Sequence, residues 1–254
     1  MRLQAEQYFA QSDLWSVFCQ ADPDRALRGL RARTETGDWD DRAWEGLVWA
    51  AQQKGEVPFQ QELADALLQA PNAAVKPFLA AAVAWLQQRR EVLWGSNQAS
   101  RLRYFTLWDK LADLAYSDDE KDNVLEQSEQ DLVNASVSAP AGSLASILYA
   151  CLVASEPKQG CGLDRDLDPR FTRVADAKGN PGLLARVFLA QYLAYLDWID
   201  PRWTAEKLLP RFAWAILMLP PFGRPALSAT LVPLASSTRL RLHFCKLSRD
   251  KTSR

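Results

Sequence analysis

The sequence predicts an all-α chain, either an irregular stack of helix pairs of the HEAT-like or TPR-like kind or an orthogonal helical bundle. Three observations carry that expectation. Apolar residues recur at helical spacing, as where Trp44, Leu47, Val48 and Ala51 fall at i, i+3, i+4 and i+7. The breaks between such segments are short and marked by Pro, Gly or a capping Asp. Nothing before residue 215 alternates apolar and polar side chains in the way of a half-buried strand.

Taken in order, Arg2 to Gln20 reads as a first helix, with Leu3, Tyr8, Phe9, Leu14, Trp15, Val17 and Phe18 on one broad face. Asp22-Pro23 starts a second, because aspartate suits the N-cap and proline the first helical position. That helix is short and basic, and Gly37 closes the connection after it. The stretch Asp40 to Leu93 is expected to organise the chain. Asp40 caps its first helix, and Pro58 opens another with the stripe Phe59, Leu63, Ala66, Leu67 and Ala70. Val75 to Leu86 then reads as a single helix, apolar nearly all round and therefore covered on most sides.

Gly95-Ser96-Asn97 breaks the pattern before a helix from about Ser100 to Tyr116. Ser117-Asp118-Asp119-Glu120 caps a further helix through about Asn134, an outer one to judge from its thin stripe of Val124, Leu125, Leu132 and Val133. Ser138 to Ser143 reads as a turn and Leu144 to Ala154 as a compact apolar helix. Residues 156–170 form a loop or linker between a first helical layer, 1–155, and a helical continuation, 171–214. Within that continuation Gly182 to Ile199 is expected as one helix ended by Asp200-Pro201, followed by Trp203 to Leu209 running into Pro210.

Composition narrows the function. The apolar share of 48% and charged share of 24% are those of an ordinary globular chain. Ten tryptophans mostly serve as packing between helices, with partner surfaces as their second use. The four cysteines show no CxxC spacing, a single histidine (His243, beside Cys245) cannot complete a metal set, and the N-terminus lacks the apolar run of a signal peptide, so reduced thiols in a cytoplasmic protein are expected. No uncharged apolar run reaches the roughly 18 residues of a membrane span, so no membrane partner is expected.

Chemistry is thinly represented. The one histidine, His243, cannot supply Ser-His, Cys-His or His-ligated metal sites. No phosphate-binding glycine loop is present, so no cofactor is expected. Asp164, Asp166 and Asp168 alternate like cation ligands, but Pro169 and Ala175 stand where an EF-hand needs glycine and glutamate, which leaves a solvated loop. Glu62 with Asp65, and Asp109 with Asp113, place carboxylates together on helices, where solvent-facing charge is the usual role. The expectation is a protein without catalytic or metal-binding residues.

The candidate partner-binding residues are Arg89, Arg90, Trp94, Arg101, Arg103 and Tyr104, where arginines and rings are interleaved, together with Trp203. Such a mixture suits a protein partner, or the backbone and bases of a nucleic acid strand. Beyond Trp214 the character changes. Residues 215–254 carry seven basic side chains and one acidic, whereas the first 214 hold 23 basic and 30 acidic. Five prolines from Pro210 to Pro233 deny this tail a long helix. It is either a basic nucleic-acid-binding tail or a non-native reading frame after truncation, and the second reading is preferred.

Leu183 to Phe212, with its aspartate-proline, tryptophan turn and Leu-Pro-Arg-Phe segment, and Trp44 to Leu86 resemble the helical region that follows the sirtuin-like domain in some bacterial antiphage defence proteins. The resemblance covers about 75 residues of low-specificity pattern and implies a helical sensor or assembly region beside an NAD-consuming domain. The glycine fingerprint of that domain is absent, so neither NAD hydrolysis nor any functional residue carries over. The function expected is a non-catalytic helical interaction, sensor or scaffold module. The alternative is a nucleic-acid-associated protein acting through its basic tail.

Overall fold

The computed structural model describes residues 14–53, 56–94, 98–117 and 129–212. Every regular element among them is helical, and none is a strand, so the all-α expectation holds. The N-terminal part of the first helix, the Gly95-Ser96-Asn97 break, residues 118–128 and the tail from 213 onward lie outside the described residues.

Local chemistry sets the early elements. Helix α1 covers 14–21 within the described range, and α2 runs Pro23–Thr34. The Asp22 carboxylate accepts a hydrogen bond from the Arg25 amide at 3.0 Å and Pro23 fills the first turn, as the sequence predicts. Asp40 does the same for α3 (Asp41–Ala51), accepting from the Ala43 amide at 3.1 Å. In α4 (Val57–Gln69) the expected stripe of Phe59, Leu63, Ala66 and Leu67 is buried.

The single helix expected over Val75 to Leu86 is three pieces instead. A turn of helix, α5 (Asn72–Val75), passes through a 3-10 segment at Lys76–Phe78 into α6 (Leu79–Gln88). Pro77 is the physical reason, since it has no N–H to donate and its ring crowds the preceding turn. Helices α7 (Arg90–Trp94) and α8 (Gln98–Tyr116) follow.

The next correction concerns Ser138 to Ser143, expected as a turn. Helix α9 (Glu129–Ser138) ends at Ser138 and α10 (Pro140–Ala154) starts at once, the two bent by 72°. Pro140 supplies the first-turn geometry of α10. Gly142 permits the sharp corner, because a Cβ there would sit 1.6 Å from the Ser136 carbonyl oxygen. Leu132 and Val133 are only half-buried, in keeping with an outer position for α9.

Helix α10, rather than the Asp40–Leu93 stretch, is the hub. It packs against α6, α8, α9, α11 (Asp168–Asp176) and α12 (Gly179–Ala190), and Leu144, Ala145, Ile147, Leu148 and Cys151 are wholly buried. Its nearly uniform apolar character is that of a helix covered on most sides. No single helix among the described residues is long and apolar enough to cross a membrane.

The described residues divide into two compact units, the first within 1–156 and 164–190, the second within 157–163 and 191–254. This division differs from the expected one, because helix α11 begins at Asp168 inside the expected linker and belongs to the first unit. The expected helix Gly182 to Ile199 is interrupted by a turn at Gln191-Tyr192, after which α13 spans Leu193–Ile199. In the second unit Gly160 and Gly162, both at positive φ, turn their amides onto the carbonyls of Trp198 and Ile199, each at 3.0 Å. Asp200 serves two backbones there, accepting from the Leu163 amide at 3.1 Å and from the Trp203 amide at 2.9 Å. Helix α14 (Pro201–Trp203) leads into a π turn at Thr204–Leu208, and the helix continues through 212 rather than stopping at Pro210.

Candidate partner-binding surfaces

The structure divides the seven predicted residues into those that hold the fold and those that face outward. Arg89 is a structural residue. Its Nε donates to the Ala51 carbonyl at 2.9 Å, at the C-terminal end of α3, where a cation also meets the negative end of the helix dipole. The same carbonyl accepts from Gln60 Nε2 at 3.0 Å, and Gln60 Oε1 accepts from Trp85 Nε1 at 2.6 Å. A buried polar network thus ties α3, α4 and α6 together.

Arg90 donates from Nη1 to the Ala150 carbonyl at 3.4 Å and stands 3.8 Å from Glu91. Arg103 pairs with Asp65 at 2.9 Å. Two expectations need correction: Tyr104 is 2% exposed and Trp203 6% exposed, so neither offers its ring to a partner. Tyr104 packs edge-on to Trp94, and burial pushes its hydroxyl well above the usual phenol range. The Trp203 amide donates to the Asp200 carboxylate at the start of its helix, while its ring is buried.

Arg101 and Trp94 remain outward-facing. The guanidinium carbon of Arg101 lies 5.6 Å from the centre of the Trp94 ring, within cation–π range. Trp94 is half-buried against Tyr104 and Phe105, with centroids 5.7 and 5.2 Å away. Beside Arg101, Leu102 is 66% exposed, large for an aliphatic side chain on a helix. The result is a small ridge at the start of α8 that combines a cation with no ion-pair partner among the described residues, the ring beneath it and an aliphatic side chain.

The acidic clusters are structural. Asp109 and Asp113 on α8 pair with Arg170 and Arg173 on α11, Glu62 stands 3.9 Å from Arg31, and Asp65 takes Arg103. The Asp164 carboxylate accepts from the Asp166 amide at 2.8 Å, an Asx turn, and Asp168 accepts from the Thr172 hydroxyl at 3.2 Å. Among the described residues no three His, Cys, Asp or Glu side chains are grouped to hold a metal ion.

A second surface was not singled out by sequence reasoning. A cleft of about 670 Å³ opens between α1, α2 and α3. Trp15 forms one wall, fixed by a 2.9 Å hydrogen bond from its Nε1 to the Ala43 carbonyl, with Phe18 beside it at 5.7 Å between centroids. Ala26 and Leu30 of α2 form the floor, and Arg25, Arg28 and Arg33 edge the opening. The legible signal was the basic character of α2 with Gly29 in its middle. What could not be read was that α1 leaves room above that face.

No family model, curated protein or solved structure matches this chain.

Proposed function

We propose that this chain is a non-catalytic, cytoplasmic α-helical module that recognises another protein, of the sensor or scaffold kind implied by its resemblance to the helical regions of bacterial antiphage defence proteins. The observation that carries this reading is the Arg101–Trp94–Leu102 ridge. An arginine stacked over a tryptophan ring, with an exposed aliphatic side chain beside it, supports a partner-binding surface, since Trp and Arg are enriched at the centres of such surfaces.

The same ridge gives less support to a nucleic acid partner. Of the four arginines in the predicted basic patch, Arg89, Arg90 and Arg103 are engaged with backbone or carboxylate groups, which leaves Arg101. A strand of phosphates is held by several cations at once. The basic tail that would add them lies outside the described residues.

The test is affinity capture with the full chain against Arg101→Glu/Leu102→Ser, both at exposed positions. The expected outcome is loss of a defined set of captured proteins with an unchanged helical circular dichroism spectrum. Capture of the same proteins by the variant would overturn the ridge. Retained nucleic acid that is released steeply by salt would turn the reading to the alternative.

A further inference from the structure

We infer that the cleft between α1, α2 and α3 is a docking site for an acidic peptide segment of a partner protein, with aliphatic or aromatic side chains as its anchors. This rests on the interaction-module reading but uses a surface separate from the Trp94 ridge. Three observations converge on the cleft.

Gly29 stands in the interior of α2, a position where glycine weakens a helix relative to alanine. Its φ is not positive, and a Cβ placed on it would meet no atom within 4 Å. Neither backbone conformation nor internal packing calls for glycine here. Its effect is to leave the cleft open.

The interior of the cleft is apolar: Trp15 and Phe18 stand as walls over the buried Ala26 and Leu30. Trp15 is pinned at its Nε1, so its ring is held in place before any ligand arrives, which lowers the ordering cost of binding. The volume is that of a site for a few side chains.

Charge decides the kind of peptide. Arg33 is held by Asp38 at 2.7 Å and Asp40 at 3.4 Å, so its charge is answered within the chain. Arg25 and Arg28 are exposed and have no ion-pair partner among the described residues. Two open guanidiniums one helical turn apart over an apolar floor complement a segment that carries carboxylates beside its apolar anchors.

The test selects random phage-displayed peptides on the full-length protein, with counter-selection on Gly29→Leu, whose side chain fills the cleft while improving the helix. Expected are peptides in which Asp or Glu flank Leu, Ile, Phe or Trp. By fluorescence anisotropy the synthetic form should bind Arg25→Ser/Arg28→Ser about tenfold more weakly, lose Gly29→Leu, and keep Arg101→Glu/Leu102→Ser. The inference is overturned if nothing is enriched over Gly29→Leu, if the enriched peptides have no acidic bias, or if removing both arginines leaves affinity unchanged. Displacement by a synthetic peptide of residues 117–130 would assign the cleft to the chain's own acidic segment, and overturn the partner origin. Because the ridge and the cleft have separate variants, failure of one surface is readable without the other.

Discussion

Arg170 grips Asp109 through two parallel hydrogen bonds, Nε to Oδ1 at 3.0 Å and Nη2 to Oδ2 at 2.6 Å. The guanidinium also lies over Phe105, its carbon 4.1 Å from the ring centre. Phe105 and Asp109 are one turn apart on α8, so a single side chain of α11 clamps the face of α8. One turn further along, Arg173 repeats the pairing with Asp113. Carboxylates that could have formed an acid–base pair are the anchor points of a helix.

Removing that clamp is expected to weaken the fold. Arg170 is 16% exposed and Asp109 39%, between the regimes in which an ion pair is worth little and in which breaking one is severe. Arg170→Ala should cost about 2 kcal/mol in urea unfolding. Arg170→Lys should recover less than half, because an ammonium cannot form the fork. An additive double-mutant cycle with Asp109→Ala would show that the two do not act together.

Two glycines should respond in opposite directions. Gly142→Ala places a methyl on the Ser136 carbonyl and forces α9 and α10 apart, at a cost of about 2–3 kcal/mol. Gly29→Ala, with open space around it, should raise stability by up to about 1 kcal/mol. Thermal melts of the two variants check both signs.

Arg89→Ala should lower stability without changing capture of a partner. It removes a donor from the Ala51 carbonyl in the network with Gln60 and Trp85. Trp85→Phe should cost about 1–3 kcal/mol, since Gln60 Oε1 is left buried without that donor. If Arg89→Ala melts normally yet loses capture, Arg89 is a binding residue after all.

The thiols predict both labelling and an alkaline limit. Cys19 and Cys151 are buried, whereas Cys161 is exposed. Burial pushes the Cys19 thiol from 9.0 up to about 12 and moves Cys151 in the same direction. Mass spectrometry after mild alkylation near neutral pH should find Cys161 modified, and Cys19 and Cys151 only on unfolding. Both thiols keep their protons in the folded state while the unfolded chain releases them above pH 9.0, so the stability they contribute is complete below that pH and is lost as pH rises towards the folded values. Burial raises Tyr116 likewise, and among the described residues Lys110, lowered by desolvation, acts in the opposite sense. Urea midpoints should therefore fall above pH 9, and a flat profile to pH 11 would contradict the burial of these groups.

The sequence by itself determined the helical class, the apolar stripes of α3 and α4, and the aspartate caps at Asp22 and Asp40. These depend on side-chain periodicity and on hydrogen bonds within a few residues, both of which the order of residues records. Tertiary structure decided what distant residues do to one another. It buried Tyr104 and Trp203, turned Arg89 inward to the end of α3, set Asp109 against Arg170 sixty-one positions away, and made α10 the hub. It also opened a cleft over Gly29, where the sequence shows only a basic helix with a glycine in its middle. Whether a ring or a guanidinium faces solvent depends on which helix covers it, and that is settled by the packing of faces far apart in the chain.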